Sequence, residues 1–293
     1  MTQLLTMDIG GTSTKYGVWQ YNQLMNLKTI PTPTSLDELL EETKIIMKDD
    51  SLETLEGLAL SCPGVVDSVS GFIHGRSAVP FIHGFNFKEK LTEALSIPVS
   101  IQNDANCAAL SEIWLGNAQD SQQTCFLIIG TGVGGAIVEN KKLKTGNNLF
   151  GGEFGYQIIK TNPITRLSDC GSPVKMARNF TEVLNDGQTY DGKQVFEMSK
   201  KGHPLAIELI NNLYDSLAIG IYNLLVSINP ELILLGGAIS SSEDLIPELK
   251  TRVDNLLDSF GATEINYQLQ KCRYQNDSNL IGAVYQFMID YGI

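Results

Sequence analysis

No two cysteines in this chain stand at CxxC spacing. The five, Cys62, Cys107, Cys125, Cys170 and Cys272, are scattered and odd in number, which argues against a disulfide framework and fits a reducing cytoplasm. Basic runs stop at two residues, Lys141-Lys142 and Lys200-Lys201, and the formal net charge is −12. A surface that neutralises phosphate backbones is therefore disfavoured, and no nucleic acid is expected as a partner. No apolar stretch reaches the ~20 residues of a membrane span. Met1 to Met7 has neither the basic start nor the long apolar core of a signal peptide. No membrane partner is expected, and the expected setting is cytoplasmic. What is present is core-forming: hydrophobic residues make up 43% and charged residues 18% of 293 positions, enough for one large or two medium domains.

The chain reads as α/β. Leu4–Ile9, Thr14–Trp19 and Leu24–Ile30 are short strands with tight connections, the pattern of an antiparallel meander. Ser35 reads as the N-cap of a helix running to about Lys48, with Glu38 completing a capping box. A buried-type strand over Leu55–Ser61 ends at Pro63-Gly64; Phe85–Leu95 reads as helix, Val99–Gln102 as strand and Asp104–Leu115 as helix. Near residue 118 the pattern restarts. Cys125–Ile129 and Ala136–Glu139 read as strands around a glycine turn, with Lys142–Lys144 a possible third. Leu205–Ile228 and Leu245–Leu257 read as helices around a strand at Glu231–Leu235, and Asn279–Met288 as a final helix. Strand, glycine turn, strand thus occurs at Asp8–Trp19 and again at Ile129–Glu139. This echo predicts two related halves: residues 1–118 with the C-terminal helix at about 277–293, and residues 119–276.

Five motifs carry chemistry. Asp8-Ile9-Gly10-Gly11-Thr12, followed by Lys15, ends a strand in a carboxylate and two glycines. It suits either an ordinary hairpin turn or a loop whose N–H groups approach an anion, with Asp8 holding Mg²⁺ through water. Gly130-Thr131-Gly132-Val133-Gly134-Gly135 is no Walker A loop, because no Gly-Lys-Ser/Thr follows. A strand rather than a helix follows it, so the dinucleotide fingerprint is also a poor fit. Two such turns in corresponding places could clamp a polyphosphate. Leu235-Gly236-Gly237-Ala238 lets a flat or charged ligand approach a helix start, or is a plain βα turn. In Gln102-Asn103-Asp104-Ala105-Asn106, Asp104 is either an N-cap or a base accepting a sugar hydroxyl proton. Glu153, inside Gly151-Gly152-Glu153-Phe154-Gly155-Tyr156, suits bidentate recognition of vicinal hydroxyls or is a solvated loop glutamate. His83, between apolar neighbours in Phe81-Ile82-His83-Gly84-Phe85, reads as a core or turn residue.

Taken in order, these segments resemble the ROK group of sugar kinases and regulators, within the actin–hexokinase superfamily, over nearly the whole chain. The resemblance implies two actin-like (RNase H-like) domains with an interdomain active-site cleft, and ATP-dependent phosphorylation of a sugar hydroxyl. Asp104 would be the catalytic base toward the 6-hydroxyl of glucose or of a glucose unit in a β-glucoside. Gly64, Asn103 and Glu153 would hold the sugar. Gly10, Gly11, Thr12, Lys15, Gly130, Thr131, Gly132, Gly134, Gly236 and Gly237 would bind the nucleotide, and Asp8 would help position Mg²⁺. A homodimer is common in the group.

One departure matters. Members usually hold a structural zinc through a His after the Glu loop and a CxCGxxGC segment. Here the His position is Tyr156, and the later segment reads Ser168-Asp169-Cys170-Gly171-Ser172-Pro173-Val174-Lys175. Only Cys170 remains as a ligand, so no zinc is predicted. The group's following Glu is replaced near Ala177. In the group that His and Glu also touch the anomeric end of the sugar, so their loss predicts room for a substituent there, as in a β-glucoside or disaccharide. Two other readings compete. A DNA-binding repressor of the group carries a helix-turn-helix ahead of the first motif, which here begins at residue 8. A non-catalytic sugar sensor would fit loss of the base, but Asp104 is present.

Overall fold

A computed structural model describes residues 3–48 and 55–293; Met1 and Thr2, the start of the segment weighed against a signal peptide, lie outside them. The contacts divide the chain into two units: Met1–Gln119 with Gly146–Phe150 and Asn276–Ile293, and Asp120–Thr145 with Gly151–Gln275.

The first unit is built on strands β1 (Leu4–Ile9), β2 (Ser13–Gln20), β3 (Gln23–Pro31), β4 (Gly57–Cys62) and β7 (Val99–Asn103), in the order β3-β2-β1-β4-β7. A small hairpin, β5 (Val65–Val66) with β6 (Ile73–His74), follows β4. β1, β2 and β3 form the antiparallel meander, while β4 and β7 run parallel to β1. The second unit repeats this plan with β8 (Gln123–Ile129), β9 (Val133–Glu139), β10 (Lys142–Leu143), β13 (Leu232–Gly236) and β14 (Gln268–Lys271), in the order β10-β9-β8-β13-β14. Again three strands are antiparallel and two parallel. β11 (Ile158–Thr161) and β12 (Ile164–Arg166) form a separate hairpin. The two sheets share one topology, so the echo read from the glycine turns is a repeat of fold.

The central parallel strands β4 and β13 are buried along their whole length, as strands covered on both faces must be. All six residues of β4 are buried. In the first unit the cover is formed by the helices Leu36–Met47, Phe87–Leu95, Asp104–Trp114 and Ser278–Tyr291. The only two tryptophans of the chain meet here. Trp19 and Trp114 lie 5.0 Å apart between ring centroids, and Trp114 stacks on Tyr285 at 5.1 Å. The second unit buries Cys125, Leu127 and Ile129 against the long helix Pro204–Ser227, whose Leu213, Leu217, Ile221 and Leu224 recur at helical spacing.

Boundaries differ from the sequence reading in physically explicable ways. Ser35 caps its helix by accepting from the Glu38 N–H. The Glu38 carboxylate, however, takes the N–H and hydroxyl of Thr34 rather than the Ser35 N–H, so the expected box is only half formed. The 85–95 helix starts at Phe87 because Asn86 is its cap. β9 begins at Val133, so the second glycine turn is only Gly130–Gly132, and Gly134 lies in a strand opposite Ile128. After Gly237 comes a single 3₁₀ turn, Ala238–Ser241, rather than a long helix at once. The helices Pro173–Leu184 and Gly192–Lys200 and the edge strand β14 went unread.

Gly282 lets the C-terminal helix sit close against the helix Asp104–Trp114: a Cβ there would fall 1.8 Å from the Cys107 carbonyl oxygen. Backbone cannot yield as a side-chain tip does. Gly282→Ala is expected to destabilise the protein by about 2–3 kcal/mol through overpacking, read as a thermal melt lowered by several degrees. A wild-type melt would contradict this packing.

Candidate active site

Strand register assembles the candidate residues of the first unit. Asp8 of β1 pairs with Ser61 of β4, Ser61 with Gln102 of β7, and Cys62 with Asn103. The carboxyl ends of three parallel strands therefore share one edge, the usual ligand edge of an α/β sheet. β1 and β7 are two strand spacings apart, roughly 10 Å.

Asp104 is the first residue of the helix Asp104–Trp114, and its side chain is exposed. The N-cap is Asn103, whose Oδ1 accepts from the Asn106 N–H at 3.1 Å. The alternative reading of Asp104 as the cap is thereby corrected, and its carboxylate is spared that task. Asp104 Oδ1 accepts from Asn103 Nδ2 at 2.9 Å and from its neighbour's N–H, Ala105, at 2.8 Å. Asn103 Nδ2 also donates to the Gly64 carbonyl at 2.9 Å. Gly64, Asn103 and Asp104 thus form one hydrogen-bonded run. Behind it lies buried Gln102. Its Oε1 accepts from the Asn103 N–H at 2.8 Å and from Asn106 Nδ2 at 3.1 Å, and its Nε2 donates to Gln286 Oε1 at 2.9 Å. Gln286 in turn donates to Asp290.

Asp8 accepts from Ser61 Oγ at 2.6 Å and from Asn279 Nδ2 at 3.2 Å on both oxygens. Burial raises its carboxyl above the usual range, against the opposing pull of Ser61, Asn279 and Lys15. The buried Cys62 thiol is pushed well up, first by burial and then by the charges of Asp8 and Asp104. Lys15 donates to Asp277 and, at 3.0 Å, to the Asn276 carbonyl. The turn Gly10–Thr12 is pinned by Thr32, which donates its hydroxyl to the Gly10 carbonyl at 2.6 Å and its N–H to Thr12 at 3.1 Å. Gly11 and Thr12 stay exposed. A single desolvated carboxylate beside an exposed turn fits Mg²⁺, which is held by few carboxylates together with substrate phosphates.

His83 is a structural clamp beside Gly64. Its Nδ1 donates to the Ile73 carbonyl at 3.1 Å, so in the neutral ring Nε2 accepts from Ser77 Oγ at 2.7 Å.

In the second unit, Ser172 Oγ lies 2.8 Å from the Gly130 carbonyl and 2.9 Å from that of Thr131. Ser168 Oγ accepts from the Val133 N–H at 2.9 Å. Gly236 ends β13, and Gly237 has φ +85° with a would-be Cβ 2.1 Å from the Ile129 carbonyl oxygen, a place only glycine fills. Next to it is a cavity of about 490 Å³ walled by Pro173, Val174, Phe196 and Ile239, with Lys193 and Lys200 at its lining. Glu153 is half-buried, and burial raises its carboxyl above the usual range.

The sequence profile of the ROK family matches residues 4–288. The chain belongs to the ROK family. It is 32% identical to a β-glucoside kinase of Listeria innocua over 98% of this chain and 97% of that one. It is 29% identical to a β-glucoside kinase of Klebsiella pneumoniae, covering 97% and 96%. Among solved structures, a ROK family protein of Streptococcus pneumoniae in complex with sucrose superposes with a TM-score of 0.90 at 32% identity, covering 99% of both chains. The fold is accordingly the two-domain actin-like ATPase fold of ROK kinases.

The segment Ser168–Lys175, where the resemblance implied zinc ligands, is held by hydrogen bonds and ion pairs. Among the described residues, no group of three or more His, Cys, Asp and Glu is placed to hold a metal. Asp169 is engaged by Arg166 at 3.0 Å and Lys175 at 2.8 Å, which hold its carboxyl well below the usual range. Hydroxyls of Ser168 and Ser172 tie the segment to the glycine turn instead. Tyr156 is 59% exposed, with the Arg166 guanidinium 5.8 Å from its ring centre, and Ala177 is buried in the core. Among the described residues no helix is long and apolar enough to cross a membrane. Asn279 and Gln286 were missed as site residues, and Gln102, though inside the Gln102–Asn106 motif, was given no role; Asn279 and Gln286 lie in the final helix, where no local signal marks them.

A carboxyl raised above its unfolded value favours folding in the protonated form. That contribution is present below about 3.8 and lost as pH rises through the raised value. Asp8→Asn, which removes the charge and keeps an acceptor for Ser61, is expected to melt higher than wild type at pH 7. The gap should close toward pH 4. A lower melting temperature at pH 7 would show that the charge is stabilising.

Proposed function

We propose that this protein is an ATP-dependent sugar kinase that phosphorylates the 6-hydroxyl of glucose, or of the glucose unit of a β-glucoside. The observation that carries the reading is the exposed Asp104 carboxylate, oriented through Asn103 to the Gly64 carbonyl. A base for phosphoryl transfer must be placed more than it must be strong, because positioning and charge stabilisation dominate the barrier. Asp104 accepts the proton of the acceptor hydroxyl. The freed oxygen attacks the γ-phosphorus, the bond to the β-phosphate oxygen breaks, and ADP leaves. The Gly10–Thr12 turn would supply N–H groups to phosphate oxygens, and Asp8 would hold Mg²⁺ through water, an ion that would offset the developing charge. Apolar walls with two lysines suit the cavity beside Gly237 to a nucleoside carrying phosphates. Glu153 keeps the role that the resemblance gives it, toward ring hydroxyls. The β-glucoside kinase relatives support a glucose ring bearing a substituent as acceptor. Cytoplasmic residence and a homodimer go with the reading, and sedimentation checks the second.

The test is a coupled ADP-release assay over hexoses, N-acetylhexosamines and β-glucosides. Asp104→Asn is expected to lower kcat about 10²–10⁴-fold while sugar binding by calorimetry persists. Undiminished turnover in that variant would remove Asp104 as the base.

A further inference from the structure

We propose that a cavity beside the β5–β6 hairpin is an acceptor subsite for the second ring of a disaccharide, the ring that is not phosphorylated. This rests on the sugar-kinase reading. The cavity, about 410 Å³, lies wholly within the first unit, between that hairpin and the segment Asn147–Phe150. Its position follows from chain geometry. Val65 lines it, and Val65 follows Gly64, whose carbonyl accepts from Asn103. The lining therefore begins one residue, 3.8 Å of backbone, from the hydrogen-bonded run that ends at Asp104.

The lining chemistry selects the occupant. Asp67, His74, Asn147 and Asn148 offer a carboxylate, an imidazole and two amides, and Phe150, 55% exposed, offers an aromatic face. A pyranose has hydroxyls around its edge and a C–H face, which these groups match in kind. The polar groups are also held in place. Val69 and Ser70 N–H groups both reach Asp67 Oδ1 at 3.1 Å, and the Phe72 ring stacks on His74, 14° from parallel at 6.2 Å. No lysine or arginine lines the cavity while one aspartate does, so a phosphate or other anion is disfavoured. The volume, at the low end for small-molecule sites, suits one further ring. A neutral, hydroxyl-rich ring continuous with the acceptor at Asp104 meets all of these conditions.

The experiment uses the full chain and measures kcat/KM for glucose and for cellobiose in wild type, Phe150→Ala and His74→Ala, with thermal melts to check folding. Phe150 is exposed, so its variant puts folding least at risk. The expected result is that the cellobiose-to-glucose ratio of kcat/KM falls about tenfold in each variant. If wild type phosphorylates both sugars and the ratio does not move, the subsite is wrong and the kinase reading stands. Wild type that takes glucose but not cellobiose overturns the subsite equally. If neither sugar yields ADP, the kinase reading falls and the subsite with it.

Discussion

The asparagine side chain at position 103 is the part on which the site depends. Its carbonyl oxygen caps the helix Asp104–Trp114, and its amide donates to Gly64 and to Asp104. All three polar tasks of one small side chain are used, so strand end, helix start and sugar-side loop are set by a single χ geometry. Loss of the cap alone would cost about 1 kcal/mol. The larger consequence is geometric, because phosphoryl transfer is sensitive to misplacement far below the size of a side chain. Gln102 fixes this geometry from behind. Buried amides in sequence tolerate no slack, since each unpaired member would leave a desolvated polar atom.

The second glycine turn is secured by a different device. Where relatives are expected to use a metal-bound segment, this chain places two hydroxyls, Ser168 and Ser172, on the backbone around Gly130–Val133. Hydroxyl-to-backbone bonds need no cysteine ligands and are indifferent to redox state. They also account for why Ser172 is fully buried beside a turn that stays partly open: it caps the helix Pro173–Leu184 and holds the turn at once. The turn is thus anchored by hydroxyls alone, with no metal ligand needed from this segment.

Much of this was legible in sequence because it is written locally. Strand–glycine–strand patterns gave both meanders, and the Asn-Asp-Ala-Asn segment marked the strand end and helix start where Asn103 and Asp104 meet Gly64. What failed was non-local or compositional. The Asp104-versus-Asn103 cap cannot be decided from residue types that cap about equally well; it is decided by where β7 ends. Gly134 was counted in a loop because glycine marks turns, whereas strand pairing with Ile128 overrides that preference. Asn279 and Gln286 reach the site from more than 180 residues away in sequence, a contact that no spacing rule encodes. Between Tyr156 and Leu205 the sequence reading named no helix, although Ser172 and Asp191 cap two amphipathic ones there.

Asp8 shows why such a site is not optimised for stability. A carboxylate desolvated at a strand end, with Ser61 and Asn279 only partly offsetting the loss of water, is an unfavourable arrangement in the absence of a cation. The same arrangement is what a metal–phosphate ligand requires: a charge already stripped of water and already aimed. A bound cation would supply the missing counter-charge, and the folding penalty would become differential affinity for the liganded state. The neighbouring Cys62 registers the same field, its thiol held neutral by burial and by both carboxylates. A small residue whose thiol stays neutral adds no charge beneath Asp8 and Asp104.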